Sequence, residues 1–239
     1  MVRFKEDDLG KRLVVLWACW NGRNEDYYGE ERLYGCSVSD KARGIVNKAV
    51  CYWEAWKKVQ LSRETGGRVV REEMVKWKPP ARSVWKINVD AAVLGDMGSG
   101  FGLVIRDADG KVERMGVLQV LEAWSPKIAE AKAAEFGLLT ARQMGLENVV
   151  LESDSLLLIT MLKSKSFPLN YFGRVGKVVY DLASHFNCFQ FSFTRREGNA
   201  VAHCLAHLLP LTYSTRFWVG SVPEAIAPLV FVDNFGLHS

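Results

Sequence analysis

The stretch at 85–92 reads W-K-I-N-V-D-A-A, and its alternation decides how the rest of the chain is read. Trp85, Ile87 and Val89 fall on one face of an extended strand, with Lys86, Asn88 and Asp90 on the other. The same period continues downstream. Gly98 to Gly102 predicts a turn and Phe101 to Arg106 a second strand. Asp107-Ala108-Asp109-Gly110 predicts a hairpin, its glycine supplying the positive φ that such turns require, and Val112 to Val120 predicts a third strand. These three strands should form an antiparallel meander.

Helical periodicity returns at Ser125-Pro126, with serine as cap and proline in the first turn. The helix should run to about Met144 and stop at Gly145. Along it Glu130, Ala133, Ala134, Gly137 and Ala141 make a stripe of small residues headed by one carboxylate, which lets the helix sit close to a sheet. Val149-Val150-Leu151 is short and wholly apolar, as in a strand buried in a parallel arrangement. It ends at Glu152-Ser153-Asp154, and helices are expected through Leu162 and from Tyr171 to Ser184. Phe189 to Thr194 predicts a fifth strand and Asn199 to Leu209 a closing helix. The expected fold is α/β: a mixed five-stranded sheet flanked by helices.

Upstream, residues 1–78 read as a helical segment. Leu13, Leu16, Trp17 and Trp20 form one apolar stripe, and Ile45, Ala49, Tyr52, Trp53 and Trp56 a second. Such stripes suit helix packing more than stacking on bases. Pro79-Pro80 stiffens a boundary, so the sheet domain is expected at 79–212, with 213–239 as a tail.

No apolar run reaches the ~20 residues that cross a bilayer, so no membrane partner is expected. The amino terminus carries Glu6, Asp7 and Asp8 and no small-residue cleavage pattern, so no secretory leader is expected. The five cysteines are scattered, without C-x-x-C spacing, which suits reduced thiols in an intracellular protein of the cytoplasm or nucleus. The net charge of +4 lies largely in 1–78, and 79–212 is nearly neutral, so charge alone does not identify a partner.

Three acids occupy related places in this order of elements. Asp90 is on the first strand, Glu130 in the first turn of the first helix, and Asp154 at the end of the fourth strand. Two divalent ions that hydrolyse a phosphodiester need such a set, because hard Mg²⁺ or Mn²⁺ takes oxygen ligands. Each acid also has a structural reading. Asp154 could be an N-cap and Glu130 a first-turn acid favoured by the helix dipole, whereas Asp90 is unusual because acids are depleted in strands.

The chain resembles the plant ribonuclease H-like domains related to the reverse-transcriptase polyproteins of non-LTR retrotransposons. The matching pieces are W-K-I-N-V-D-A-A at 85–92, G-F-G-L-V-I-R-D-A-D-G at 100–110 and S-P-K-I-A-E-A-K-A-A-E-F-G-L at 125–138. L-E-S-D-S at 151–155 and R-R-E-G-N-A-V-A-H-C-L-A at 195–206 complete them. W-A-C-W-N-G-R-N at 17–24 is similar to the helical connector found before this domain. The resemblance implies metal binding by Asp90, Glu130 and Asp154, with Glu135 on the other side of the helix. The family's fourth acid falls at His203, which puts activity in doubt because neutral imidazole is a poor Mg²⁺ ligand, although Mn²⁺ tolerates nitrogen better. His203 and His207 could share a helix face and bind zinc, but the sequence offers no two further ligands.

The resemblance implies an RNA–DNA hybrid endonuclease that uses Mg²⁺ or Mn²⁺ and leaves a 3′ hydroxyl and 5′ phosphate. Asp90, Glu130, Asp154 and His203 are its candidate catalytic residues. Ser153, Ser155 and Asn199 are candidate hydrogen-bonding neighbours of the substrate. Only Lys163 and Lys165 lie where some relatives carry a basic handle. The alternative is a catalytically weak or inactive nucleic-acid-binding module derived from a retrotransposon. A phosphotransferase is disfavoured, because the chain has one such domain and no phosphate-cradling glycine loop.

Overall fold

Strand β1 (Trp85–Val93) is central. In the computed structural model, which describes residues 77–208, 215–223 and 226–234, it pairs antiparallel with β2 (Ser99–Arg106) and parallel with β4 (Asn148–Ser153). β2 continues the antiparallel meander into β3 (Val112–Val120), and β4 pairs parallel with β5 (Cys188–Phe193). A sixth strand, β6 (Thr215–Val219), joins β3 antiparallel, giving the order β5-β4-β1-β2-β3-β6. The mixed α/β sheet therefore has six strands where the sequence predicts five. The segment expected as a tail supplies both β6 and a later helix, and the amphipathic pattern of so short an edge strand is weak. The helical segment expected at 1–78 lies outside the described residues, except for Trp77 and Lys78.

The turn before β2 is tighter than expected. A 3₁₀ turn at Gly95–Met97 and Gly98, at φ +80°, complete it, so Gly100 and Gly102 belong to the strand. The hairpin after β2 is as read: Asp107 Oδ1 accepts from the backbone N–H groups of Asp109 and Lys111, and Gly110 sits at φ +76°.

Helix α1 (Pro126–Gln143) covers one sheet face. Its small residues earn this closeness: a Cβ on Gly137 would lie 2.6 Å from Val89 Cγ1. With α2 (Leu156–Ser164) and α3 (Tyr171–Ala183), it encloses the larger core around Ile87, Val89, Leu103, Leu138, Leu151 and Val179. The opposite face is covered by α4 (Ala200–Ala206) and α5 (Ala227–Asn234), which pack Leu205 and Leu229, with Ile226 of the turn before α5, on Val104, Met115 and Val117. The polar face of β1 is thus interior, with Lys86, Asn88 and Asp90 all buried.

Candidate active site

The register that pairs Asn88 with Glu152 carries Asp90 and Asp154, each two residues on, to the same end of the parallel pair β1–β4. Asp154 follows β4 but does not cap α2. Ser155 is the N-cap, its hydroxyl accepting from the Leu158 N–H. Glu130 lies beyond the first turn of α1, which contains no acid, so the helix dipole is a poor account of it. One carboxylate oxygen from each of Asp90, Glu130 and Asp154 lies within 4.8 Å of the others. Glu135 instead pairs with Lys132 at 2.8 Å, off this cluster.

Three carboxyl groups this close and this buried resist ionisation together. Burial pushes Asp90 and Asp154 up to about 6 each; for Asp154 the charge of Asp90 adds to the effect. Burial, then the charges of Asp90 and Asp154, push Glu130 up to about 9. Oε2 of Glu130 is buried without a hydrogen-bond partner. An uncompensated oxygen beside two further acids is costly on its own and is the donor set that a hard divalent cation takes.

His203 closes the site from α4. Its Nδ1 is 2.7 Å from Asp90 Oδ2, and its Nε2 is 2.6 Å from Arg196 Nη2. Arg196 Nη2 also lies 3.1 Å from Nδ1; since a guanidinium only donates and a carboxylate only accepts, a neutral ring with its hydrogen on Nδ1, facing Asp90, is the tautomer that satisfies the two shorter contacts. Gly102, the register partner of Asp90, makes this possible. A Cβ there would collide with the Ala202 carbonyl oxygen and hold α4 away from the sheet.

A buried polar network beneath the site is the feature that sequence reading missed. Asn88 Nδ2 donates to Glu152 Oε1 at 3.0 Å and to Asn199 Oδ1 at 3.1 Å, while Asn199 Nδ2 donates to the Val89 carbonyl at 2.8 Å. Lys86 Nζ meets Glu152 Oε2 at 3.0 Å, and Asn88 Oδ1 accepts from Trp77 Nε1 and Arg106 Nη2. Asn88, Glu152 and Asn199 stand two, two and four residues before Asp90, Asp154 and His203, so the bonds that Asn88 makes to the other two tie together the three segments that carry the acids and the imidazole. The signal available was the run of polar residues on the second face of β1. Ser153 and Asn199, expected beside substrate, are fully buried, and the half-buried Ser155 accepts from the Leu158 N–H as N-cap, which leaves its O–H to donate.

A family model described as reverse transcriptase-like matches residues 88–209, and the chain belongs to that family. The fold is a mixed six-stranded α/β sheet flanked by helices. Solved structures similar to it include RNase H1 from the halophilic archaeon Halobacterium salinarum, at 22% identity and TM-score 0.48, covering 52% of this chain and 94% of that one. The N-terminal RNase H domain of a Mycobacterium tuberculosis protein gives 23% identity and TM-score 0.47, covering 52% and 90%. LC11-RNase H1, isolated from compost by a metagenomic approach and solved with an RNA/DNA hybrid, gives 21% identity and TM-score 0.46, covering 51% and 92%. No curated protein matches the chain. Among the described residues no helix is long and apolar enough to cross a membrane.

Proposed function

We propose that the domain hydrolyses the RNA strand of RNA–DNA hybrids with two divalent cations, Mg²⁺ or Mn²⁺. The observation that carries this reading is the convergence of Asp90, Glu130 and Asp154, with Glu130 Oε2 buried and unpaired. Asp90, Glu130 and Asp154 would hold the ions, which supply a charge clamp on the attacking and leaving oxygens. Asp90 lies between the other acids and His203, so it is the residue suited to serve both ions. Water attacks the phosphorus, the P–O3′ bond breaks, and the products carry a 5′ phosphate and a 3′ hydroxyl. His203, neutral and held by Arg196, orients Asp90. Recognition would rest on hybrid shape and ribose 2′-hydroxyls, not on sequence.

One observation favours the second reading, a retrotransposon-derived module that binds nucleic acid without turnover. His203 occupies an Asp90 oxygen, and the Arg196 cation stands behind it. The test is a time course on a labelled RNA–DNA hybrid in Mg²⁺ and in Mn²⁺, with Asp90→Asn as control. Metal-dependent cleavage lost in Asp90→Asn is expected. Hybrid binding without cleavage in either ion would replace the hydrolase with the binding module.

A further inference from the structure

His203 and His207 lie one helical turn apart at the end of α4, and the fold supplies what their sequence spacing lacks. Asp90 brings a carboxylate oxygen to them, so that one ligand atom from each of Asp90, His203 and His207 lies within 4.8 Å of the others. His207 Nδ1 is 2.9 Å from the His203 carbonyl oxygen. A carbonyl only accepts, so Nδ1 carries the hydrogen and Nε2 keeps its lone pair, which is the arrangement by which a backbone carbonyl orients a metal-binding imidazole. The two rings are held edge to face with centroids 4.2 Å apart.

We propose that Asp90, His203 and His207 form a second cation site, which takes a divalent transition ion of the zinc, cobalt or manganese type in preference to Mg²⁺. Two imidazoles and one carboxylate are the donor set of borderline ions; hard Mg²⁺ takes oxygen. Asp90 is common to this site and to the all-oxygen group with Glu130 and Asp154, so the centre is chemically asymmetric: oxygen donors on one side of Asp90, nitrogen donors on the other. Arg196 is the competitor. Its Nη2 holds the Nε2 lone pair of His203 at 2.6 Å, and since Arg196 is exposed it can leave when an ion enters. The site goes beyond the proposed hydrolase and does not require cleavage.

The test is Co²⁺ titration of the full chain, read by visible absorption, with Zn²⁺ titration read by calorimetry. Wild type should take up Co²⁺ with the absorption of a nitrogen-ligated ion. His207→Ala should weaken that binding about 10-fold to 100-fold, the usual effect of losing a ligand or its support. Glu130→Gln should leave it in place, and Arg196→Ala should tighten it. In the wild-type chain, which avoids any folding defect of a variant, Zn²⁺ should shift the ring ¹⁵N resonances of both histidines. Co²⁺ binding unchanged by His207→Ala, or lost in Glu130→Gln, would place the ion among the acids and overturn the site, as would unmoved histidine resonances. Hybrid cleavage measured on the same samples separates the two readings. Histidine-dependent Co²⁺ binding without cleavage keeps this site and removes the hydrolase; Mg²⁺-dependent cleavage with no such binding does the reverse.

Discussion

Nδ1 of His203 lies 2.7 Å from Oδ2 of Asp90, so an imidazole N–H occupies an oxygen of the carboxylate on which the acid cluster centres. Aspartate at this position would add a negative ligand where imidazole adds none. His203→Asp should therefore raise Mg²⁺-supported hybrid cleavage by about 10-fold, the lower end of what support of a metal ligand contributes. The same variant should lower the melting temperature of the ion-free protein, because a fourth carboxylate joins three. Fast Mg²⁺ cleavage by wild type with no gain in His203→Asp would show that the histidine is a working part of the centre.

The acid cluster predicts how stability depends on pH. Asp90 and Asp154 are raised from 3.8 to about 6, and Glu130 from 4.5 to about 9. A carboxyl with a raised folded-state pKa binds its proton more tightly when folded, so stability is highest below the unfolded value and falls as pH rises through the folded one. Ion-free protein should lose stability between about pH 4 and pH 9, and added Mn²⁺ should raise the melting temperature more at pH 8 than at pH 5. Thermal melts across that range decide it; a flat profile with no metal effect would mean the acids are not coupled.

Glu130 is pushed up to about 9, so at neutral pH Glu130→Gln exchanges one neutral group for another, and its amide N–H is one that the neighbouring carboxylates can accept. The ion-free protein should gain about 1 kcal/mol, the order of a buried polar group newly satisfied, while hybrid cleavage is lost. Denaturant titration and the hybrid assay read the two effects. Loss of stability together with activity would make Glu130 a structural residue.

Arg106 is fully buried, and its Nη1 meets Asp233 Oδ2 of α5 at 2.8 Å. Its guanidinium also stacks 3.8 Å from the centroid of the Trp77 ring. Asp233→Ala should cost about 3–5 kcal/mol, as for other buried pairs broken on one side. Urea unfolding measures this, and a cost below about 1 kcal/mol would mean that α5 is dispensable to the domain.

Gly102→Ala places a methyl against the Ala202 carbonyl of α4 and 2.8 Å from Leu205 Cβ. The overpacked helix should shift, with a loss of about 1–3 kcal/mol and a changed His203 ring environment, read by thermal melts and histidine NMR. An unperturbed His203 signal would show that the glycine does not set the Asp90–His203 approach.

Much of the fold was legible because its patterns are local. Strand β3 falls at the expected bounds, and α1 ends at Gln143, with Gly145 at φ +70° just past the Met144 cap. The small-residue stripe of α1 correctly implied close approach to the sheet. Other features depend on partners distant in sequence. β6 was not legible because a five-residue edge strand carries little periodicity, and its place is set by pairing with β3. Gly100 and Gly102 read as a turn because a glycine needed for close packing has the same letter as one needed for positive φ.

The sequence by itself determined the order of strands and helices from β1 to α4, and placed Asp90, Glu130 and Asp154 on them, because alternation, helical spacing and turn residues act over a few neighbours. Tertiary structure decided the rest. Alternation placed Lys86, Asn88 and Asp90 on one face of a strand without saying what covers that face; they are buried, since Glu152, Asn199, Arg106 and Trp77 satisfy their side or flank them inside the fold. Only the parallel register of β1 and β4 and the seating of α4 over Gly102 bring Asp90, Asp154 and His203 together. Distance between residues far apart in the chain is a property of packing, and a linear pattern contains no measure of it.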